Sequence, residues 1–219
     1  MVLLAIGAHP DDVELGCYGV LALQKHTVPN DTNSPRRQEV HILVATNGDA
    51  GGETEKRMIE ARASAAIIGA VIHFGGLTDT LVTDGRETID MIERYIKQIQ
   101  PDMIMVNSPH DTHQDHRNLA KAVISATRYG PDRVYFYETP TTTQKFHPSL
   151  FYDISEVIDT KCAAVGCHNT QNTKPYMSSD IIKALARYRA LKIGKFTSWV
   201  EAYEPHKLII KLSFSFRRT

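Results

Sequence analysis

Two short clusters of histidine and aspartate contain the residue types that bind divalent metals and move protons. Residues 9–12 read His-Pro-Asp-Asp, and residues 113–116 read His-Gln-Asp-His. Two neutral imidazoles and one carboxylate around a metal leave a coordination position for water, as in catalytic zinc sites and unlike closed structural ones. The two clusters together therefore predict a site at which a divalent metal activates water.

Each cluster has a structural alternative when it is taken alone. His-Pro-Asp-Asp is also compatible with a turn and a capping carboxylate, and His-Gln-Asp-His with the solvated start of a helix. The metal interpretation is favoured because both clusters follow predicted strands and contain the same ligand types.

The elements predicted around the clusters explain how they come together. Strand-like apolar runs alternate with helix-like stretches, which favours an α/β fold: a Rossmann-like three-layer sandwich with a mostly parallel sheet and helices on both faces. Strands are predicted at residues 2–7, 40–46, 71–74, 103–107, 134–138, 151–154 and 208–216, and helices at 14–26, 53–69, 87–100, 115–129, 156–168 and 179–194. The clusters follow the first and fourth strands, and open α/β sheets bind ligands beyond the carboxyl ends of their strands.

Two further segments are assigned from composition and spacing. Residues 27–37 are rich in proline, asparagine and serine and are predicted to form a surface loop. The helix at 53–69 is predicted from apolar residues at helical spacing, namely Ile59, Ala63, Ala66 and Ile67.

Length and charge limit the class of protein. The 219 residues fit one domain, 1–219, better than two. Lys plus Arg and Asp plus Glu are equal at 25 each, so no net charge attracts nucleic acid or anionic lipid. The apolar run at 2–8 is too short for a membrane span and lacks the flanks of a signal peptide. We expect a cytoplasmic protein that recognises a small molecule, with self-association as a homo-oligomer left open.

The first turn argues against dinucleotide binding. Doubly wound nucleotide-binding folds need glycines there so that backbone amides can approach a pyrophosphate. The sequence has no G-x-G-x-x-G at this turn, and its two carboxylates would repel phosphate.

In combination, residues 8–14 (Ala-His-Pro-Asp-Asp-Val-Glu) and 113–116 resemble the LmbE-like (PIG-L) deacetylase family. That family includes enzymes that remove the acetyl group from N-acetylglucosaminyl lipids and related amino sugars. Weaker similarity extends over residues 46–62, 168–171, 186–189 and 201–203, with Thr170 where the family has serine. The resemblance implies a zinc-dependent hydrolase that removes the acetyl group from an N-acetylglucosaminyl-type substrate.

The resemblance also implies a role for four residues of the clusters. His9, Asp12 and His116 match the zinc ligands, and Asp11 matches the general base that activates the metal-bound water. These roles agree with the chemistry, since a metal acidifies its water and an adjacent carboxylate can accept the proton.

Four more residues receive roles in the same way. His113 matches the residue that stabilises the oxyanion and protonates the leaving amine, and Asp115 matches the residue that orients it. Arg57 matches a position that contacts substrate in some relatives, although its helix also needs solvated charges. His168 is a candidate for a substrate-side group or a group behind the site.

Some alternatives remain open at this point. Zn²⁺ is the expected cation, but two histidines and a carboxylate also suit Fe²⁺ or another divalent cation. The protein is alternatively a hydrolase of another small amide, or a metal-binding module without turnover, although such a module has no need of Asp11. The late segments around His168 and Glu201 are expected to wall the pocket, because loops at the sheet edge alone would leave a sugar too exposed.

Overall fold

A seven-stranded mixed sheet organises the residues that the computed structural model describes, 1–26 and 39–210. The strands are β1 Val2–Gly7, β2 Glu39–Thr46, β3 Val71–Leu77, β4 Met103–Asn107, β5 Arg133–Tyr137, β6 Leu150–Asp153 and β7 Val200–Leu208. They lie in the order β3-β2-β1-β4-β5-β7-β6. The first five strands are parallel, and β7 runs antiparallel to both β5 and β6. The predicted α/β class and mostly parallel sheet are confirmed.

Helices cover both faces of the sheet. They are α1 Asp12–Gly16, α2 Tyr18–His26, α3 Thr54–Ile67, α4 Arg86–Ile99, α5 Gln114–Ala126, α6 Ile158–Gly166 and α7 Ser179–Lys192. Side chains of a strand alternate between faces, so Leu3 and Ala5 of β1 share a core with α2 and α6, whereas Leu4 and Ile6 pack with α4 and α5. None of the helices in the described ranges is long and apolar enough to cross a membrane.

The helix predicted at 14–26 is two helices in the structure, with a break at Cys17. The second helix begins where a carboxylate from a distant strand meets it. Glu201 of β7 accepts hydrogen bonds from the N–H groups of Gly19 and Val20 at 2.8 and 2.9 Å, which places a negative charge at the positive end of α2. Lys161 lies 2.5 Å from the same carboxylate and compensates its buried charge. Because Glu201 is distant in the chain, the break in this helix could not be predicted from residues 14–26 alone.

Helix α3 forms as predicted but turns a different face inward. Ile59 and Ile67 are 58% and 44% exposed, so the predicted apolar stripe faces outward. The buried positions of the helix are Arg57, Ala61, Ser64 and Ala65. Arg57 and Ser64, the polar residues on this face, form hydrogen bonds with residues near the site described below. These hydrogen bonds determine the orientation of the helix.

The last strand of the described residues was not predicted from the sequence. A strand was expected at 208–216, but β7 ends at Leu208, and residues 211–216 lie outside the described residues, as does the loop predicted at 27–37. β7 contains two glutamates, a proline, a histidine and a lysine, and it is buried over its first four residues only. Its apolar pattern is therefore too weak to indicate a strand from sequence.

Candidate active site

The turn after β1 is held by both strands that flank β1 in the sheet. Thr46, at the end of β2, donates to the carbonyl oxygen of Ala8 from its N–H at 3.0 Å and from its hydroxyl at 2.9 Å. Asn107, at the end of β4, accepts from the Ala8 N–H at 3.1 Å. The first cluster is therefore fixed at the carboxyl edge of the sheet, where α/β proteins bind ligands.

Three side chains from the two clusters converge beside this turn. His116 Nε2 lies 3.3 Å from His9 Nδ1 and 3.2 Å from Asp12 Oδ1, and His9 Nδ1 lies 3.5 Å from Asp12 Oδ2. Donor atoms bonded at about 2.0–2.1 Å to a tetrahedral ion are separated by roughly 3.3 Å. These spacings fit one divalent cation, and all three side chains are buried.

Carboxylates face the opposite nitrogen of each of these imidazoles. His9 Nε2 lies 3.0 Å from Asp79 Oδ1 and 3.1 Å from Asp115 Oδ2, and His116 Nδ1 lies 3.2 Å from Asp111 Oδ2. When a cation is bound between the rings, the nitrogen that faces these outer carboxylates would keep its proton, which leaves the other nitrogen with a lone pair for the metal. The convergent atoms of both rings are therefore the ones suited to bind a cation.

His113 lies beside the same atoms but is suited to donate a hydrogen bond. His9, His113 and His116 offer nitrogen atoms within 4.8 Å of one another. However, His113 Nδ1 accepts from the backbone N–H of Asp115 at 3.2 Å, so a neutral His113 carries its proton on Nε2. Burial, and then the two other histidines, lower the pKa of His113 and favour that neutral form.

The carboxylate of Asp115 has a different partner from the one expected. It was expected to orient His113, but its Oδ2 contacts His9 and accepts from the N–H of Thr80 at 2.8 Å. The contact with His113 is made by the backbone N–H, at the start of α5. Asp115 therefore orients a convergent imidazole directly and fixes the tautomer of His113 through its main chain.

Asp11 stands next to the convergent atoms in a rare backbone conformation. Its φ of 117° is unusual for a residue other than glycine and costs about 1–3 kcal/mol. Arg57 Nη2 donates to Asp11 Oδ2 at 3.3 Å and to the carbonyl oxygen of Pro10 at 2.7 Å, which helps to hold the turn. Burial, and then the charge of Asp12, raise the pKa of Asp11 to about 6, although Arg57 opposes the shift. A carboxylate with a raised pKa is a stronger base near neutral pH.

Arg57 is buried, and its guanidinium bonds mainly to the protein itself. Besides the contacts on the first turn, Nη1 donates to the carbonyl oxygen of Gly48 at 2.7 Å. Gly48 has a φ of 67°, and a Cβ there would clash with Nη1, so glycine is needed for this approach. Arg57 also lines the pocket, and its contact with a substrate stays a prediction.

His168 and Glu201 do not themselves line the pocket, although the segment that follows His168 does. His168 is almost fully buried, and its Nε2 lies 3.4 Å from Glu14 Oε1, while the carboxylate of Glu201 contacts the start of α2. The late residues that do line the pocket are Lys174 and Tyr176. The late part of the chain therefore supplies a wall, but through other residues than those expected.

A pocket of about 300 Å³ opens above the convergent atoms, at the lower end of the range for small-molecule sites. Two segments of the pocket lining were not predicted from the sequence, although ligands of α/β proteins are known to bind beyond the carboxyl ends of parallel strands. Asp79 follows β3, and residues 139–141 follow β5, so both segments lie beyond carboxyl ends of parallel strands like the two clusters. Lys174 follows no strand and carries no comparable signal.

Metal binding is expected to release about two protons between pH 7 and 8. Burial opposes protonation of His9, but hydrogen bonds to three carboxylates outweigh it and raise its pKa to about 12. Burial likewise opposes protonation of His116, whose pKa facing carboxylates raise to about 9. Below both values the metal-free imidazoles are protonated, so a cation must displace their protons. Affinity should therefore increase with pH, by up to roughly 100-fold per unit.

Calorimetric zinc titrations in two buffers of different ionisation enthalpy measure the number of protons released. A heat of binding that does not depend on the buffer would contradict this expectation, because it would mean that both imidazoles are already neutral.

Comparisons of the sequence relate this chain to deacetylases and to a hydratase. The family model described as GlcNAc-PI de-N-acetylase, PIG-L, matches residues 4–127. The uncharacterized deacetylase YaiS of Escherichia coli K12 is 32% identical over 177 residues, which cover 77% of this chain and 90% of that protein. Diacetylchitobiose deacetylase of Thermococcus kodakarensis is 28% identical over 200 residues, which cover 77% of this chain and 69% of that protein. The 4-oxalmesaconate hydratase of Pseudomonas putida is 25% identical over 193 residues, which cover 75% of this chain and 71% of that protein.

Solved structures share the fold over nearly the whole chain. The conserved protein TT1542 of Thermus thermophilus has a TM-score of 0.80 at 25% identity, with 98% of each chain covered. A 4-carboxy-2-hydroxymuconate hydratase of Pseudomonas putida KT2440 has a TM-score of 0.75 at 20% identity, covering 98% and 99%. A zinc-inhibited form of a teicoplanin deacetylase has a TM-score of 0.73 at 17% identity, covering 94% and 97%.

The family match includes the parts of the chain that build the site. Residues 4–127 contain both clusters, the strands that carry them and α3. Since this match covers more than half of the sequence and YaiS is similar over most of its length, the chain belongs to the GlcNAc-PI de-N-acetylase (PIG-L) family.

Proposed function

We propose that the protein is a zinc-dependent hydrolase that releases acetate from an N-acetylated amino sugar of the N-acetylglucosaminyl type. The observation that carries this proposal is the convergence of His9 Nδ1, His116 Nε2 and the Asp12 carboxylate beside a second carboxylate, Asp11, whose pKa is raised. A site that only stored a metal would need the three ligands but not the base.

The proposed reaction is hydrolysis of an acetamide. A divalent cation, when bound, polarises the acetyl carbonyl and acidifies the attacking water. Asp11 accepts one proton of that water, because a pKa of about 6 leaves it ionised and basic near pH 7.5. His113 donates from Nε2 to the oxyanion as the carbonyl carbon becomes tetrahedral. The proton on Asp11 then passes to the leaving nitrogen, which gives a free amine and acetate.

This scheme changes one role that the sequence suggested. Protonation of the leaving amine was expected from His113, but a neutral ring whose Nδ1 accepts a hydrogen bond has its single proton committed to the oxyanion. Asp11 has just accepted a proton and can transfer it, so the proposal assigns both transfers to Asp11.

The amino sugar is proposed from the family and the size of the pocket. Diacetylchitobiose deacetylase, by its name, acts on an N-acetylated disaccharide. A pocket of about 300 Å³ with both polar and apolar walls suits a sugar ring. Zinc is proposed because the ligand types and spacings suit a tetrahedral ion. The zinc-inhibited teicoplanin deacetylase suggests that excess zinc should be avoided in assays.

Hydration of an unsaturated carboxylate is the second candidate function. The chain covers 99% of a hydratase structure and 98% of its own length in that comparison, so no large insertion separates the two proteins. A base and a bound cation also suit the addition of water to a double bond. Hydrolysis of another small amide and metal binding without turnover are the remaining alternatives.

One panel of substrates distinguishes these functions. Metal-stripped protein is reloaded with one equivalent of zinc or ferrous iron and given N,N'-diacetylchitobiose, methyl N-acetylglucosaminide, an acetyl-lysine peptide or 4-carboxy-2-hydroxymuconate. We expect acetate and free amine from the sugars alone, and no turnover after chelation. Equal rates on the peptide would favour a general amide hydrolase, loss of the muconate absorbance would favour a hydratase, and metal binding without any product would leave a binding module.

A further inference from the structure

Lys174 places a positive charge in the wall of the pocket. Its side chain is half-buried and lines the pocket together with Tyr176, whose ring centroid lies 5.9 Å from Nζ. Over residues 1–26 and 39–210 its ammonium group has no hydrogen-bonding or ion-pair partner.

The other cationic side chain of the pocket is already used by the protein. Arg57 donates to two backbone carbonyl oxygens and to Asp11, and it is 3% exposed. The acidic side chains of the lining, Asp11, Asp12 and Asp79, cluster around the proposed cation position. The pocket thus has an acidic floor, which would hold the proposed cation, and a separate cationic wall that can attract an anion.

The backbone that carries Lys174 is anchored on both sides. Before it, Thr170 donates to Glu60 of α3 from its N–H at 2.9 Å and from its hydroxyl at 2.7 Å, and Gln171 Nε2 donates to the carbonyl oxygen of Gly51 at 3.1 Å. After it, a short 3₁₀ turn at 175–177 begins with a bond from the Met177 N–H to the carbonyl oxygen of Lys174. A ligand therefore has little backbone to order when it meets this cation.

The surface next to the pocket offers little room for an apolar group attached to the sugar. A narrow crevice next to the pocket shares Leu15, Pro140 and Tyr176 with it and is otherwise lined largely by α7 and β7. Its volume is about 40 Å³, much less than the roughly 300 Å³ of the pocket itself. A long acyl chain would therefore have no ready-made channel leading away from the pocket.

We propose that Lys174 is a specificity residue that binds a carboxylate or phosphate on the part of the substrate that remains attached to the sugar. A half-buried ammonium group forms charge-assisted hydrogen bonds with such a group, and these are stronger than neutral ones. The inference rests on the proposed deacetylation for the identity of the sugar. It narrows the substrate class to anionic derivatives of N-acetylated amino sugars.

Pairs of substrates that differ in a negative charge test this proposal. The first pair is carboxymethyl and carbamoylmethyl N-acetylglucosaminide, which differ by a carboxylate against an amide of the same shape. The second pair is N-acetylglucosamine 1-phosphate and methyl N-acetylglucosaminide. The zinc-loaded protein should prefer the anionic member of at least one pair by roughly 10- to 100-fold in kcat/KM, mostly through KM, and the preference should weaken as salt is added. The pair with the larger preference distinguishes carboxylate from phosphate.

Substitution of Lys174 tests whether this residue causes the preference. Lys174→Met should bring the ratio between the members of the pair close to one, and Lys174→Arg should keep most of it. Lys97→Met, an exposed lysine in the last turn of α4, removes the same net charge and should leave the ratio unchanged. An equal loss for both members of each pair in Lys174→Met would overturn the proposal, because it would mean that the ammonium group acts on the reaction or the fold.

A binding measurement separates this inference from the proposed function. Zinc-loaded Asp11→Asn protein, with Lys174 intact or changed to Met, is titrated calorimetrically with N-acetylglucosamine 1-phosphate and with the carboxymethyl glycoside. Binding that depends on Lys174 without any amine release from the unmodified protein would reject deacetylation and keep the anion site. Amine release with no preference in either pair, and no dependence of binding on Lys174, would keep deacetylation and reject the anion site.

Discussion

Replacing Asp11 with asparagine is expected to lower kcat by roughly 10²- to 10⁴-fold while the protein still binds one equivalent of zinc. Asparagine keeps the shape of the side chain and tolerates the positive φ of this position better than most residues, but it cannot accept a proton. The convergent side chains are those of His9, Asp12 and His116, so zinc should not need Asp11. Bound zinc and the rate of amine release are measured on the same preparation.

The matched control for this substitution is Asp49→Asn. Asp49 is an exposed carboxylate on the short turn at 49–51 beside the pocket, so its loss changes the local charge without removing the proposed base. It should change kcat little. If Asp11→Asn lost its zinc, Asp11 would be a ligand. If it retained zinc and near-normal turnover, the proton would have to go to His113 or to solvent.

The fold could be predicted from sequence wherever burial leaves a local pattern. Strands β1 and β4 occur at the predicted residues, because both of their faces are covered and their sequences are continuous apolar runs. Strand β7 was not predicted because Glu201 is buried in it only through its contacts with Lys161 and with the start of α2. A buried charge of this kind depends on residues far away in the chain, and no window of sequence contains them.

The site, like the fold, could be predicted only where its residues form a pattern within a short stretch of sequence. Residues 9–12 and 113–116 are contiguous clusters, and the structure brings them together as their strand positions imply. Asp79 and Lys174 are single residues whose place in the pocket depends on how β3 and the segment after α6 pack. The inward face of α3 was misassigned because Arg57 is a charged residue that becomes buried only by bonding to the first turn and Gly48.

Asp12→Ala is expected to abolish turnover at one equivalent of zinc and to weaken zinc binding by more than the roughly 10- to 100-fold typical of outer partners of a metal ligand. Asp12 contacts both convergent nitrogens, whereas Asp79 contacts the far nitrogen of His9. Asp79→Asn should therefore fall within that smaller range, because it disturbs only the orientation and tautomer of the ring. Zinc affinity is measured by competition with a chromophoric chelator.

This comparison also decides which side of His9 holds the cation. His9, Asp79 and Asp115 form a second group whose donor atoms lie within 4.8 Å of one another, on the Nε2 side of the ring. If zinc occupied that position, Asp79→Asn would cost more affinity than Asp12→Ala. Asp12 also accepts a hydrogen bond from the backbone N–H of His9 at 2.9 Å, so thermal unfolding in the presence of chelator is needed to show that Asp12→Ala still folds. A folded Asp12→Ala protein that binds zinc normally would remove Asp12 from the proposed ligand set and would favour His9, His113 and His116, whose nitrogen atoms lie within 4.8 Å of one another.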